Sequence, residues 1–209
     1  MNQKLTLFYR PGACALAPHI LLHWLKREHE AVNAPRNDEY RRINPSGAVP
    51  ALQFGDGSVL TQCNAILNYL AAEQGHRDLL GGEDIRQQAE VAKWAAFFTG
   101  DFHPAFFPVF APGAYTNDAG ESARTNAKQA GIALVRRHLD TIEDGLTGRT
   151  CFVGSRYTIA DAYSVPMLRW AAALFPERLG PWPATETYYR HISKDTGVVA
   201  AMAVQGITP

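Results

Sequence analysis

Cys14 is the residue of this chain whose type and position best suit covalent chemistry. It follows a Pro11-Gly12 turn and precedes an apolar stretch with helical spacing. A helix N-terminus presents unpaired N–H groups and a partial positive charge, and both favour a thiolate over a thiol. Because Ala17 stands three positions later, the thiol has no C-x-x-C partner and would need a thiol from another molecule. The alternative is a buried, inert cysteine, which is a common environment for this residue.

Three other places could hold a ligand beside such a thiol. His103 stands among closely spaced phenylalanines, which suits a polar group in an aromatic pocket but also a core histidine. Gln62 and Cys63 stand at a predicted helix start, where free N–H groups could bind a carboxylate or could simply be capped. Val49-Pro50 precedes a strand, which fits a cis-proline that presents backbone groups to a peptide, or an ordinary strand start.

His19 and His23 are a pair of residues with the spacing of metal ligands. They stand four residues apart on one predicted helix, but the residues between them include no carboxylate that could act as a general base. The pattern therefore differs from that of zinc proteases, and we expect no metal in this protein.

The secondary structure predicted to position these residues is mixed strand and helix in the first part of the chain and helical in the rest. Within residues 1–75 the sequence pattern predicts a strand at 4–9, a helix at 16–28, a strand at 29–33, a hairpin over 49–60 and a further helix. Residues 76–84 have the composition of a linker. Residues 85–209 carry helical periodicity, with a capping box at 158–161 and prolines near 104 that should break a helix. The prediction is an α/β domain followed by an all-α domain.

Composition excludes several classes of function. The chain of 209 residues is 46% hydrophobic and 19% charged, as is usual for a water-soluble globular protein. Its 20 basic and 20 acidic residues argue against a nucleic-acid partner or an anionic membrane surface. No apolar run is long enough to span a bilayer, and no signal-peptide core is visible. With only 3 cysteines, we expect a cytoplasmic protein.

Taken together, these segments resemble the glutathione transferase family, and most closely its bacterial beta class. The resemblance covers nearly the whole chain and rests on residues 9–20, 43–52, 60–70 and 158–163. It implies a thioredoxin-like N-terminal domain with the order β-α-β-α-β-β-α, an all-helical C-terminal domain, and a homodimer.

The same resemblance implies roles for single residues. Cys14 matches the beta-class catalytic cysteine, which can form a mixed disulfide with glutathione, and His103 matches a histidine that approaches the sulfur from the helical domain. Val49 matches the residue whose backbone pairs with the glutathione cysteinyl unit, and Pro50 matches its cis-proline. The expected glutathione-binding residues are Tyr9, Ala13, Arg36, Val49, Pro50, Gln62 and Cys63.

The chain departs from the beta-class pattern at three places. Cys63 stands where a serine usually helps to hold the γ-glutamyl group, and S–H is the weaker donor. Pro104 stands where beta-class members can carry a lysine. The lysine that would reach the glycyl carboxylate is absent, and Arg36 is the nearest cation that could replace it.

Two functions from different classes follow. The first is an enzyme that joins glutathione to hydrophobic electrophiles in an aromatic pocket around Phe106 and Phe110, with thiol–disulfide exchange at Cys14 as a second mode. The other is a non-catalytic binding or regulatory protein with the same fold. If Cys63 lines the same pocket, a Cys14–Cys63 disulfide is a further prediction, provided that the two Cα atoms lie within about 7 Å.

Overall fold

A four-stranded mixed sheet organises the N-terminal part of the chain. The computed structural model describes residues 4–73 and 75–209, so residues 1–3 and 74, at the two ends of the predicted first domain, lie outside the described residues. The strands are β1 (Thr6–Tyr9), β2 (Glu30–Asn33), β3 (Ala51–Gln53) and β4 (Val59–Thr61). Their order is β2-β1-β3-β4, with β1 parallel to β2, and β3 antiparallel to both β1 and β4.

Three helices complete this part and give the predicted order β-α-β-α-β-β-α. They are α1 (Leu16–Trp24), α2 (Asp38–Ile43) and α3 (Cys63–Glu73). The helix α2 begins where the Asn37 side chain accepts a hydrogen bond from the Tyr40 N–H at 3.0 Å. The thioredoxin-like topology is confirmed.

The first helix ends earlier than its apolar spacing predicts. The sequence predicts a helix to residue 28, but α1 ends at Trp24 because Lys26 takes a left-handed conformation with φ 49°. The Lys26 N–H then bonds to the His23 carbonyl at 3.0 Å, and the Arg27 N–H bonds to the Leu22 carbonyl at 2.9 Å. This pair of bonds is a Schellman motif, and it reverses the chain toward the side of α1.

The remainder of the described chain contains helices and no strand, as predicted. The helices are α4 (Ile85–Phe97), α5 (His103–Ala105), α6 (Phe107–Phe110), α7 (Glu121–Leu146), α8 (Ile159–Leu174), α9 (Pro183–Ile192) and α10 (Thr196–Gln205). The predicted linker contains a 3-10 turn at Arg77–Leu80. The domain limits 1–75 and 85–209 stay predictions.

A π-helical turn interrupts the helical periodicity that the sequence shows from residue 85 onward. The α-helical pattern stops at Phe97, and Phe98–Phe102 form the π turn that leads into His103. Pro104 and Pro108 each lie in the first turn of a short helix, where a proline has no N–H to lose. The prolines break the helix as expected, and the π turn, a feature frequent at functional sites, sets the position of His103.

The two parts share one apolar core. Leu16 and Ile20 of α1 are fully buried in the same cluster as Phe98 and Leu168 of the helical part. The Trp24 indole N–H also donates to Asp195 at 2.6 Å, at the start of α10. The helix that follows Cys14 is thus anchored by the C-terminal helices.

Candidate active site

The turn before Cys14 is held from the helical part of the protein. Gly12 has φ +72°, a conformation that favours glycine. The Trp170 indole N–H donates to the Gly12 carbonyl at 2.7 Å, and the Gly12 N–H donates to the Gln205 side-chain oxygen at 3.2 Å. These bonds fix the backbone just before the thiol, so the position of Cys14 depends on two helices far along the sequence.

The Cys14 thiol lies in an environment that favours its anion. The Cys63 thiol donates a hydrogen bond to it, and this is the largest factor that lowers the pKa of Cys14. Burial opposes the effect, and the backbone N–H groups of Cys14 and Ala15 add to it. The Cys14 residue is 8% exposed and lines a cavity.

Cys63 is the neutral member of the thiol pair. Burial and the adjacent Cys14 raise the pKa of Cys63 well above its ordinary value, so it keeps its proton and serves as a donor. Its sulfur lies 3.5 Å from the Cys14 carbonyl oxygen. Both cysteines are free thiols in this structure, and their disulfide stays a prediction.

Tyr163 extends this network to His103. The Tyr163 hydroxyl donates one hydrogen bond to the Cys63 sulfur, and it lies 3.4 Å from the His103 Nδ1 atom. Burial lowers the pKa of His103 to about 4, so the imidazole is neutral at physiological pH. A chain of hydrogen-bonding groups therefore runs from Cys14 through Cys63 and Tyr163 to a neutral histidine.

One cavity of about 310 Å³ brings most of the predicted residues together. Six expected site residues line it, namely Cys14, Val49, Pro50, Gln62, Cys63 and His103. The Val49–Pro50 peptide bond is cis, as the sequence resemblance implies. The Val49 carbonyl oxygen lies 3.5 Å from the Cys14 sulfur. Cavities of this size bind small molecules.

Gln62 carries backbone strain at the edge of this cavity. It has φ +73° although it is not a glycine, and its side chain is exposed. The next residue, Cys63, begins α3, so the unpaired N–H groups of that helix lie at the same wall. Backbone strain of this kind costs about 1–3 kcal/mol and is concentrated at ligand-binding sites.

Comparison with known proteins decides the family. The family model of the glutathione S-transferase N-terminal domain matches residues 12–73, and that of the C-terminal domain matches residues 92–195. The chain belongs to the glutathione S-transferase family. Glutathione S-transferase GST-4.5 of Xanthomonas campestris pv. campestris is 36% identical to this transferase over 96% of this chain and 98% of its own.

Solved structures agree with this transferase over nearly its whole length. A bacterial beta class glutathione S-transferase of Sphingomonas chungbukensis has a TM-score of 0.84 at 30% identity, and covers 97% of this chain and 100% of its own. A sphingomonad glutathione S-transferase complexed with glutathione also has a TM-score of 0.84, at 33% identity with the same coverage. The likeness to the bacterial beta class is confirmed.

Three predicted glutathione-binding residues of this transferase do not line the cavity. The Tyr9 hydroxyl donates to the Val204 carbonyl at 3.4 Å, so it joins the sheet to α10. Ala13 is the neighbour of Cys14 in the turn and contributes no side-chain group to the wall. Arg36 lines a separate cavity of about 150 Å³, which shares Ser46 with the thiol cavity.

The aromatic wall differs from the expected one. Phe106 is fully buried and Phe110 is 58% exposed, and neither lines the thiol cavity. Phe107, which is 39% exposed, lines it and packs edge-on against His103 with ring centres 5.0 Å apart. Phe107, at the start of the short helix α6, is therefore the phenylalanine that lines the thiol cavity.

Thr99 and Tyr163 are among the residues of this cavity that sequence reasoning missed. Thr99 lies in the π turn, which no sequence pattern announced. Tyr163 stands in one of the family-like motifs, but that motif was interpreted only as a helix start. Its place on the buried face of α8 is the one signal that could have indicated a role for Tyr163.

None of the helices within the described residues has both the length and the apolar character needed to cross a membrane.

Proposed function

We propose that this transferase binds glutathione in the Cys14 cavity and joins it to hydrophobic electrophiles. The observation that carries the proposal is the thiol itself, whose pKa is lowered in a cavity of about 310 Å³ that it shares with Val49, Pro50 and the start of α3. The family supports glutathione as the co-substrate, and a relative of known structure is complexed with it.

The walls of the cavity suit the two ends of glutathione. No lysine or arginine is among the described residues that line the cavity, so the N–H groups at the start of α3 are its source of positive potential. We assign the γ-glutamyl carboxylate to Gln62 and Cys63 there, and the cysteinyl unit to the backbone of Val49. The glycyl carboxylate would extend past Ser46 toward Arg36 in the adjoining cavity.

His103 acts on the sulfur without a charge of its own. Because burial keeps its imidazole neutral, it offers a hydrogen bond to the reacting sulfur and is a poor proton acceptor at pH 7. The anion is then stabilised by Cys63 and by the backbone N–H groups of Cys14 and Ala15. Phe107 supplies an apolar surface for the electrophile.

The same site supports thiol–disulfide exchange. The Cys14 thiolate attacks the glutathione sulfur of a mixed disulfide between glutathione and a substrate thiol, so that a Cys14–glutathione bond forms, the old S–S bond breaks and the substrate thiolate leaves. A second glutathione thiolate then attacks the Cys14–glutathione disulfide, which regenerates Cys14 and releases glutathione disulfide. We also propose that the protein is a cytoplasmic homodimer with a role in detoxification, on the basis of the family alone.

Intact-mass analysis after incubation with glutathione disulfide tests the site. We expect one glutathione adduct on the native protein, none on Cys14→Ser, and an unchanged adduct on Cys151→Ser, whose thiol is buried away from the cavity. Millimolar glutathione should also raise the thermal midpoint, and a chloronitrobenzene should be conjugated.

The opposite results would favour the non-catalytic binding protein. No adduct, no thermal shift and no conjugation would refute the proposed enzyme. An adduct that persists in Cys14→Ser would refute the assignment of Cys14. Sedimentation analysis of the native protein tests the homodimer separately.

A further inference from the structure

A second cluster of reactive side chains lies along the helix that follows Cys14, outside the thiol cavity. His19 and His23 on α1 meet His29, which the Schellman turn after α1 brings back toward that helix. One ring nitrogen of each histidine lies within 4.8 Å of those of the other two. We propose that these three imidazoles bind a divalent transition-metal ion, of which zinc is the best fit.

The three rings form a compact triangle. The ring centres of His19 and His23 are 5.2 Å apart, those of His19 and His29 are 5.2 Å apart, and those of His23 and His29 are 5.5 Å apart. In a triangle with sides of 4.8 Å, each nitrogen lies about 2.8 Å from the centre. Zinc–nitrogen bonds are about 2.0–2.1 Å long, so an inward movement of at most about 0.8 Å per nitrogen is sufficient.

Hydrogen bonding leaves the metal-facing nitrogen of His29 free, whereas His19 accepts a hydrogen bond on Nδ1 and must move its proton from Nε2 to bind a metal. The His29 Nδ1–H donates to the Arg27 carbonyl at 2.8 Å, which leaves its Nε2 lone pair for a ligand. Metal-binding histidines commonly carry such a backbone bond on the other nitrogen. The Nε2 atoms of His19 and His23 are buried and have no hydrogen-bond partner among the described residues. His19 itself is fully buried, where an unpaired polar atom calls for a ligand.

The cluster is open to solvent on one side. His23 and His29 are partly exposed, so an ion can enter from solvent. Three imidazoles suit zinc, copper, nickel or cobalt ions and leave a fourth zinc position open.

Metal binding at His19 would involve the turn before Cys14. The Gln205 side-chain nitrogen donates to His19 Nδ1 at 3.1 Å, while its oxygen accepts from the Gly12 N–H. A metal on Nε2 requires the ring proton on Nδ1, so the Gln205 amide has to turn and present its oxygen to His19. The Gly12 N–H then loses its acceptor, which links the metal site to the backbone beside the reactive thiol.

The sequence alone predicts no metal. That expectation considered only His19 and His23, which stand on one helix. The third ligand, His29, follows the end of α1, and the residue that reverses the chain there, Lys26, is neither glycine nor asparagine. The usual sequence signal for such a turn is therefore missing.

Titration of the full-length, chelator-treated protein with zinc and cobalt ions tests the proposal. We expect one zinc ion per chain by calorimetry, and visible cobalt bands without a sulfur-to-cobalt charge-transfer band. His23→Ala and His29→Ala, chosen because these rings are partly exposed, should each weaken binding at least tenfold. His191→Ala, at an exposed histidine, should leave affinity unchanged.

The thiols of the active site are the competing ligands. Cys14→Ser should bind zinc as the native protein does. Unchanged affinity in both His23→Ala and His29→Ala, loss of binding in Cys14→Ser, or no binding to the native protein would each overturn the proposal. None of these measurements depends on transferase activity, so the metal site and the proposed function can fail independently.

Discussion

Replacing Cys63 by alanine tests the origin of the reactive thiolate. The Cys63 S–H is the largest factor that lowers the pKa of Cys14, and alanine removes that donor without adding bulk. A hydrogen bond to a charged group contributes about 1.5–3 kcal/mol, and S–H is a weak donor, so we take the lower limit. Because about 1.4 kcal/mol is a factor of ten, Cys63→Ala should reduce the thiolate population about tenfold at pH values below the Cys14 pKa.

The rate of disulfide exchange responds less than the thiolate population does. A thiolate becomes more nucleophilic as its pKa rises, with a Brønsted slope of about 0.4–0.5, so a tenfold weaker acid gives a thiolate about threefold more reactive. At low pH the two effects oppose, and Cys63→Ala should react roughly threefold more slowly than the native protein. At high pH both thiols are fully ionised, and the variant should react roughly threefold faster.

Stopped-flow exchange with a small aromatic disulfide, followed from acid to alkaline pH, measures this difference. The two rate profiles should cross, and the Cys63→Ser profile should lie on the acid side of the Cys63→Ala profile because a hydroxyl is the better donor. Cys151→Ala is the control for loss of a buried thiol elsewhere. If the Cys63→Ala profile coincides with the native one, or is faster at every pH as a merely loosened pocket would be, the reasoning is wrong.

Three further predictions concern the frame of the site. Gly12→Ala should lower the free energy of unfolding by about 1–2 kcal/mol and slow disulfide exchange at Cys14. The alanine would have to adopt φ +72°, and its Cβ would lie 3.1 Å from the Arg169 guanidinium. The control is Gly57→Ala, where φ is +86° but no atom of the described residues is near the new Cβ. In urea titration it should lose a similar free energy of unfolding, and its rate of disulfide exchange should be unchanged. Asp161→Ala should lower the free energy of unfolding by about 3–5 kcal/mol, because the buried carboxylate accepts hydrogen bonds from Phe152, Thr158 and Tyr188. As the control, Asp144→Ala at an exposed position should change that free energy by less than about 0.5 kcal/mol. His103 has its pKa lowered to about 4, so the unfolded chain binds its proton more readily and stability should fall as the pH drops from about 6.5 to 4. His103→Gln should remove up to about 3 kcal/mol of that pH dependence, and equal acid titrations of both proteins would contradict it.

Local patterns were sufficient where the chain makes contacts with its near neighbours. The strand, the Pro-Gly turn and the helix start around Cys14 were all predicted, because turn residues and apolar spacing act over a few residues. The capping box at Thr158 and Asp161 was likewise predicted and is present. Family-like motifs added the cis bond at Pro50, which local propensity cannot indicate.

The end of α1 shows where local patterns fail. Apolar spacing continued to residue 28, but a Schellman turn at Lys26 closed the helix without the usual glycine. The π turn before His103 is a similar case, since a single inserted residue leaves no periodic signature. Both irregular turns change where the side chains of a candidate site lie.

The sequence by itself determined that Cys14 is a thiol at a helix start without an internal C-x-x-C partner, and that the chain folds as a sheet followed by helices. Only the tertiary structure decided what surrounds that thiol. The Cys63 donor is 49 residues away, Tyr163 and His103 are on helices of the other part, and Trp170 and Gln205 hold its turn. The pKa of a thiol depends on groups within a few ångströms in space, and packing brings those groups together whatever their separation along the chain.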